Sequence, residues 1–473
     1  MGQDIAADGF AAEDFQRFSA RLAEETAAFA QLAAEGGLSR AGPHIGLELE
    51  VWLIDHSHFP APHNQSFLER LNDPEVVAEL SQFSVEINAP VETLAGEGLK
   101  RMHAHLSEKV RCCATNAHED VDTVITIGTL PTLRKEDLSL ASMTPYNRYL
   151  ALNREAMRQR DNAPLQVDID TAIPGAPHFT AAYEDVMLEA ATTSLQLHLQ
   201  LPPDEFARHY NGALQLSAPL LAVSANSPFL FGKALWHETR IAAFEQSLQH
   251  PDGSSRVIFG SHYLGDDPAE LFAENLREYP VLLPSLDDRP ASRFPALRLH
   301  NGTIWRWVRP LVGFDDDGTP HLRIEQRVLP AGPSNLDMMA NAALFYGALH
   351  ALADRIGERK AALPIETARA NFYAAARNGL GAELLWPGDS APRAASSVVE
   401  DLLPLAAEGL AAQGMAEDLV DHYLSVIAMR LATGRTGAAW QLEHYARHQD
   451  LFALTAAYVE NQRTGLPVHE WRL

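Results

Sequence analysis

Four stretches of the chain alternate apolar and polar residues with the period of two expected of a half-buried strand. Ile45–Ile54, IGLELEVWLI, sets Glu48 and Glu50 on one face. Phe83–Thr93, FSVEINAPVET, sets Ser84, Glu86 and Asn88 against Val85 and Ile87. Ser194–Pro202, SLQLHLQLP, sets Ser194, Gln196, His198 and Gln200 against leucines on the other side. His321–Pro330, HLRIEQRVLP, sets His321, Arg323, Glu325 and Arg327 against Leu322, Ile324 and Val328, with Gln326 breaking the apolar side.

Between these stretches the period lengthens to that of helices. Residues 11–36 carry Phe15, Phe18, Leu22, Phe29 and Leu32 near one stripe and stop at a Gly-Gly pair. A helix is expected at roughly 94–118, an apolar strand in VDTVITIGTLP, and a loop running into a helix between Leu138 and Arg160. A helical region is expected over 203–249. LRLHNGTIWRWVRPLVG reads as a pair of β-like runs around Gly302, which would add Arg298 and His300 to a polar strand face. From Ser334 the pattern is helical to about residue 460, with SNLD as the capping start. Strands mixed with helices, followed by helices alone, predict an α+β fold around an antiparallel sheet. No repeat, low-complexity tract or long linker divides the chain. The expected organisation is therefore an N-terminal helical segment, 1–40, before one large domain, 41–473, helical in its C-terminal part from about 334.

Composition narrows the function classes. With 46% hydrophobic and 21% charged residues, the 473-residue chain has the make-up of an ordinary soluble globular protein. Its charge of 37 − 62 = −25 argues against binding nucleic acid or an anionic membrane surface, because both need clustered cations. No apolar run approaches a membrane span, and the N-terminus is acidic where signal and transit peptides are basic. Cys112 and Cys113 are adjacent in a helical pattern, unsuited to a structural disulfide or a metal knuckle, so a reducing cytoplasm is the expected setting. A homo-oligomer is compatible with the sequence but nothing in it requires one.

The polar strand faces carry the chemistry. Two carboxylates at i and i+2 on one strand repel each other unless a cation lies between them. A merely solvated face carries Lys, Thr and Ser in no fixed order, whereas Glu, His, Gln, Asn and Arg recur here and lysine is absent from all four faces. Oxygen-rich sets with an imidazole suit Mg²⁺ or Mn²⁺ better than Zn²⁺. Arginines on the same face offer planar forks for phosphate or carboxylate. The competing reading is an amphipathic sheet held by cross-strand ion pairs. The phosphate-loop, dinucleotide, GxSxG and HExxH motifs are all missing, so a nucleotide would have to be held by metals and arginines on a sheet.

GLELEVWLID, VEINAPVET, LQLHLQL, NSPFLFGKALWHETRIAAFEQ, GTIWRWVRP, LRIEQRVLP and NFYAAARNGLGAELLWPG occur in the order of the glutamate–cysteine ligase family. From about residue 44 to about 445 the chain resembles the bacterial carboxylate–amine ligase branch, whose catalytic fold is like that of glutamine synthetase. The resemblance implies a bent antiparallel sheet forming a funnel-like site flanked by helices. It implies ATP- and Mg²⁺-dependent ligation, in which glutamate is activated as an acyl phosphate and joined to cysteine or another amine. A different carboxylate or amine, or a phosphagen-kinase-like phosphotransferase, is the alternative. Under this resemblance Glu48, Glu50, Glu86, His198 and Glu325 correspond to metal ligands, and Glu92 is either a further ligand or a turn residue. Arg327 and Arg309 are the candidate catalytic arginines. Arg323, Arg327 and Thr303 are candidate nucleotide contacts, and Asn88, Gln196, Arg240, Asn301 and Arg309 candidate substrate contacts. Two departures stand out: Leu49 and Val51 where many relatives read G-x-E-E-E-F, and Gln196 where some show His-x-His.

Overall fold

The computed structural model describes residues 4–116, 118, 121–172, 178–356 and 363–473, with the side chains of 354–356 outside the description. The alternating stretches all become strands of one eight-stranded antiparallel sheet. Its members are β1 (His44–Ile54), β2 (Val76–Ala78), β3 (Ser84–Asn88), β4 (Glu92–Thr93), β5 (Thr123–Ile125), β6 (Ser194–Leu201), β7 (Val308–Phe314) and β8 (Pro320–Pro330). The order is β7-β8-β6-β1-β3-β2, and β4 and β5 also pair with β1. At eleven residues, β1 is long enough to take partners on both edges and at both ends.

The sheet is antiparallel and curls into a half-barrel, as the resemblance implies. The alternation fixes which side faces inward. Leu49, Val51, Ile87, Leu197, Leu199 and Ile324 are fully buried on the convex face. Each such side chain contributes roughly 1.5–3 kcal/mol of burial, so a one-residue slip in register would put the whole set on the wrong side. Helices Pro203–Ser224 and Asn335–Ile356 pack against each other over this face. Tyr346 Oη lies 3.2 Å from the Gly46 carbonyl and 3.1 Å from that of His198, tying the second helix to β1 and β6. Gln326, the polar break in the apolar side, donates to the Ala213 carbonyl at 3.3 Å on the first helix.

Three expectations change. Residues 295–302 form a helix, not a strand, so Arg298 and His300 leave the sheet. Pro295 at the helix start favours this, and His300 Nε2 lies 3.1 Å from the Asn275 carbonyl instead of facing a strand neighbour. The helical region expected over 203–249 is two helices, Pro203–Ser224 and Thr239–Ser247, separated by a short pairing of Phe229–Leu230 with Lys233–Ala234. The C-terminal part is helical as expected, except for a two-residue pairing of Glu383–Leu384 with Arg393–Ala394. Ser334 does cap the first of those helices: its hydroxyl donates to Asp337 at 2.8 Å and accepts from the Asp337 amide at 3.1 Å. The N-terminal helix Ala12–Ala34 packs Phe29 edge-on against Phe272 and Phe294. Among the described residues no helix is long and apolar enough to cross a membrane.

Candidate active site

Cross-strand register assembles the concave face. Glu50 stands opposite Glu86, Glu48 lies between Asn88 and Gln196, and His198 lies opposite Glu325, which in turn faces Arg309. Two groups of potential ligand atoms result, each with its atoms within 4.8 Å of one another. One is Glu48, His198 and Glu325, and the other is Glu50, Glu79 and Glu86.

The first group is charged and braced. Arg309 grips Glu325 with two parallel bonds, Nε to Oε2 at 2.7 Å and Nη2 to Oε1 at 3.0 Å, and Arg327 Nη1 adds a third at 3.2 Å. Burial alone would raise the Glu325 pKa, but Arg309 and Arg327 outweigh it and hold the carboxyl well below the usual range. Burial, followed by the repulsion of Arg323, draws His198 down to about 4 against the pull of Glu48 and Glu325, leaving a neutral imidazole near pH 7. Its buried Nε2 makes no hydrogen bond, and Glu48 Oε1 and Glu325 Oε1 stand 3.5 and 3.7 Å away.

The second group lacks such support. Burial pushes Glu50 up to about 7 despite Arg327, with Glu86 adding to the rise. Glu79 is raised well above its ordinary value by burial and by Glu86 and Glu50, and Glu86 is raised by burial and by Glu48. Glu189, further back, is pushed to about 7 by burial and by Glu50. Buried Glu79 Oε1 has no hydrogen-bond partner among the described residues. A neutral imidazole with an unbonded nitrogen in one group and three carboxylates forced together in the other suit divalent cations. The donor set therefore fits the Mg²⁺ or Mn²⁺ that the resemblance implies.

Gln196 joins the two groups. Its Nε2 donates to Glu50 Oε1 at 3.1 Å, and its Oε1 accepts from Arg327 Nη1, which also donates to Glu325. The amide accepts from the guanidinium through its oxygen and donates to the carboxylate through its nitrogen. A bulge between Gln326 and Leu329 keeps Arg327 on the concave face while Leu329 returns to the core.

The remaining candidates divide. Asn88 donates to Glu86 at 3.1 Å and, with Arg323, lines a cavity of about 780 Å³ that opens from the first group. Arg240 is fully buried beside Glu238 at 3.4 Å and lines a small enclosed chamber with Glu50, Glu189 and Arg327. Thr303 borders the larger cavity, but its hydroxyl donates to the His300 carbonyl at 2.7 Å. Asn301 is engaged at both ends of its amide, donating to the Pro310 carbonyl and accepting from Asn275, each at 2.9 Å. It braces β7 and is not an open substrate contact. Glu92 is not brought into either ligand group. It pairs opposite Ile45, a residue of the core face, and its carboxylate holds Arg101 at 2.6 Å. Sequence reasoning missed Glu79, just past the end of β2, and Glu189, inside the short 3-10 helix Met187–Ala191, because strand alternation carries no facing information at either place.

The family model for glutamate-cysteine ligase family 2 (GCS2) matches residues 44–457. A protein of Trichormus variabilis named "Putative glutamate--cysteine ligase 2" is 26% identical over 376 residues, 77% of this chain and 80% of its own. The fold is shared with a glutamate–cysteine ligase of Francisella tularensis crystallised with AMP, with a TM-score of 0.58 at 12% identity and 90% coverage of both chains. It is shared too with a bifunctional glutathione synthetase of Pasteurella multocida, with a TM-score of 0.54 at 11% identity over 92% of this chain and 54% of that one. With a family model spanning almost the whole sheet and its helical cover, the chain belongs to glutamate–cysteine ligase family 2.

Proposed function

We propose that this ligase uses ATP to activate the γ-carboxylate of glutamate and joins it to an amine, with cysteine the acceptor suggested by the family. The observation that carries the reading is the pair of ligand groups tied together by Gln196 and Arg327 on a concave sheet face. The nucleotide half draws support from the Francisella enzyme's complex with AMP.

Glu48, His198 and Glu325 would hold one divalent ion and Glu50, Glu79 and Glu86 another. When bound, such ions supply positive charge that neutralises the phosphoryl oxygens. The protein's own part is positioning. Arg327 aims guanidinium donors at the developing charge, and Arg309 keeps Glu325 ionised and fixed. In the first step the γ-phosphoryl group moves to a carboxylate oxygen and ADP departs. In the second, the amine lone pair forms the C–N bond as the bond from carbon to the phosphate oxygen breaks, and the departing phosphate takes the nitrogen's proton. No enzyme nucleophile is required, consistent with Cys112 and Cys113 lying as free thiols on helix Gly98–Thr115.

The test is to incubate the protein with ATP, Mg²⁺ and glutamate, add each amine separately, and follow ADP and product mass. ADP release that needs both glutamate and an amine, with a condensed product, is expected. ADP release independent of glutamate, or a phosphorylated acceptor as the end product, would overturn the reading.

A further inference from the structure

The arginines of the larger cavity are unequally committed. Six line it: Arg148, Arg289, Arg298, Arg309, Arg323 and Arg327. Arg309 and Arg327 are held by Glu325, Arg289 donates to Asp287 at 2.6 Å, and Arg148 stacks 5.8 Å from the Tyr149 ring centre. The side chains of Arg298 and Arg323 make no hydrogen bond and no ion pair with any described residue. Arg323 Nε is buried without a partner, and Arg298 only stacks 5.5 Å from the Phe314 ring centre. In a chain of net charge −25, two cationic forks left without a carboxylate in a cavity are a conspicuous excess.

Their placement limits what they hold. Arg323 lies two residues before Glu325 on the same face, about 7 Å along the strand. Burial, then the neighbouring Arg289, Arg323 and Arg293, draws the Arg298 pKa down, so an anion between these forks would relieve their crowding. The cavity also carries acids: Asp4 and Asp288 line it, together with Asp287, which is already paired with Arg289. A polyphosphate would be repelled by those carboxylates. A zwitterion, presenting one carboxylate to the arginines and one ammonium to the aspartates, matches both signs.

We infer that Arg298 and Arg323 clamp the carboxylate of the acceptor and are the residues that set its preference for an amino acid over a simple amine. The inference rests on the ligase reading above, and it assigns Arg323 to the acceptor instead of the nucleotide. The clamp positions the acceptor and takes no part in activating glutamate.

Hydroxylamine separates the two halves of the reaction, because it traps the acyl phosphate as a hydroxamate and carries no carboxylate. The wild type should form the hydroxamate from glutamate and ATP. It should also use cysteine or 2-aminobutyrate far better than cysteamine or propylamine, which lack the carboxylate. Arg298→Ala, on an exposed helix face, should raise KM for the amino-acid acceptor about tenfold or more, the scale of one charge-assisted contact, and narrow the preference over the simple amine. KM for glutamate and ATP in the hydroxamate assay should change less than about twofold. Arg323→Gln should act in the same direction. A rise in KM for ATP would make the pair a phosphate site, and a rise for glutamate would make it the donor's carboxylate site. Either outcome, or equal use of cysteine and cysteamine by the wild type, overturns the clamp while leaving the ligase reading intact. A wild type that forms no hydroxamate overturns the ligase reading, and the clamp with it.

Discussion

The two ligand groups meet on β1, where Glu48 belongs to one and Glu50 to the other, yet they are electrostatic opposites. Glu325 is ionised and locked by three bonds from Arg309 and Arg327. Glu50, Glu79 and Glu86 are pressed together with their pKa values raised. The first group is organised by the protein, whereas the second is strained until a cation or protons relieve it. The same residue type in the same fold can therefore be stabilising or destabilising, depending on whether an arginine hydrogen-bonds it directly.

The sharpest way to test this contrast is to remove one carboxylate from each group. Glu325→Ala should abolish measurable turnover and destabilise the fold by roughly 3–5 kcal/mol, because it strands Arg309 as a buried, unpaired charge. Thermal melting beside ADP release checks it, and a variant that melts like the wild type would dissolve the distinction. Glu50→Gln should cost at least about 10²-fold in turnover, the scale of losing one preorganised stabiliser. Its metal-free melting temperature at pH 8 should hold or rise, because repulsion with Glu86 is relieved.

Arg327 belongs to both groups through Gln196, so changing it should show how tightly they are coupled. Arg327→Lys keeps the charge and loses the fork. It should lower kcat and kcat/KM together by roughly tenfold to a hundredfold, because its contact strengthens in the transition state. A rise in KM with kcat preserved would make Arg327 a ground-state anchor.

A pH profile separates the groups without mutation. Glu50 has a folded pKa of about 7, above the ordinary 4.5, so between these values the native state binds more protons than the unfolded chain. The stability it supports is fully present below 4.5 and is lost as pH rises through 7. Glu325, held low, works in the opposite sense and loses its contribution only in acid, below its ordinary 4.5. The metal-free protein should therefore lose melting temperature from pH 5 to 8. Mg²⁺ or Mn²⁺ should restore more of it at pH 8 than at pH 5, and Glu50→Gln should flatten the slope. The smallest effect is expected at Glu92→Gln, which breaks only the half-exposed pair with Arg101 and should leave turnover within about twofold. A large loss would return Glu92 to the list of ligands.

Strand faces are written locally and were legible for that reason. Period two decides which side chains share a face, so Glu48, Glu50, Glu86, His198, Glu325 and Arg327 could be grouped before any pairing was known. The absence of lysine from those faces and the Ser334 cap were legible in the same way. Pairing register, helix ends and partners far along the chain are not local, and only the tertiary structure decided them. It brought Glu79 beside Glu50, turned Glu92 to Arg101, and wound Arg298 onto a helix where a strand was expected. It also showed that Gln196 is a bridge between the two groups, since that depends on Arg327 arriving from a strand more than a hundred residues away. A sequence fixes the side chain's chemistry and the face it shares with its neighbours, but whether a buried carboxylate meets an arginine or another carboxylate depends on which strands come to lie side by side.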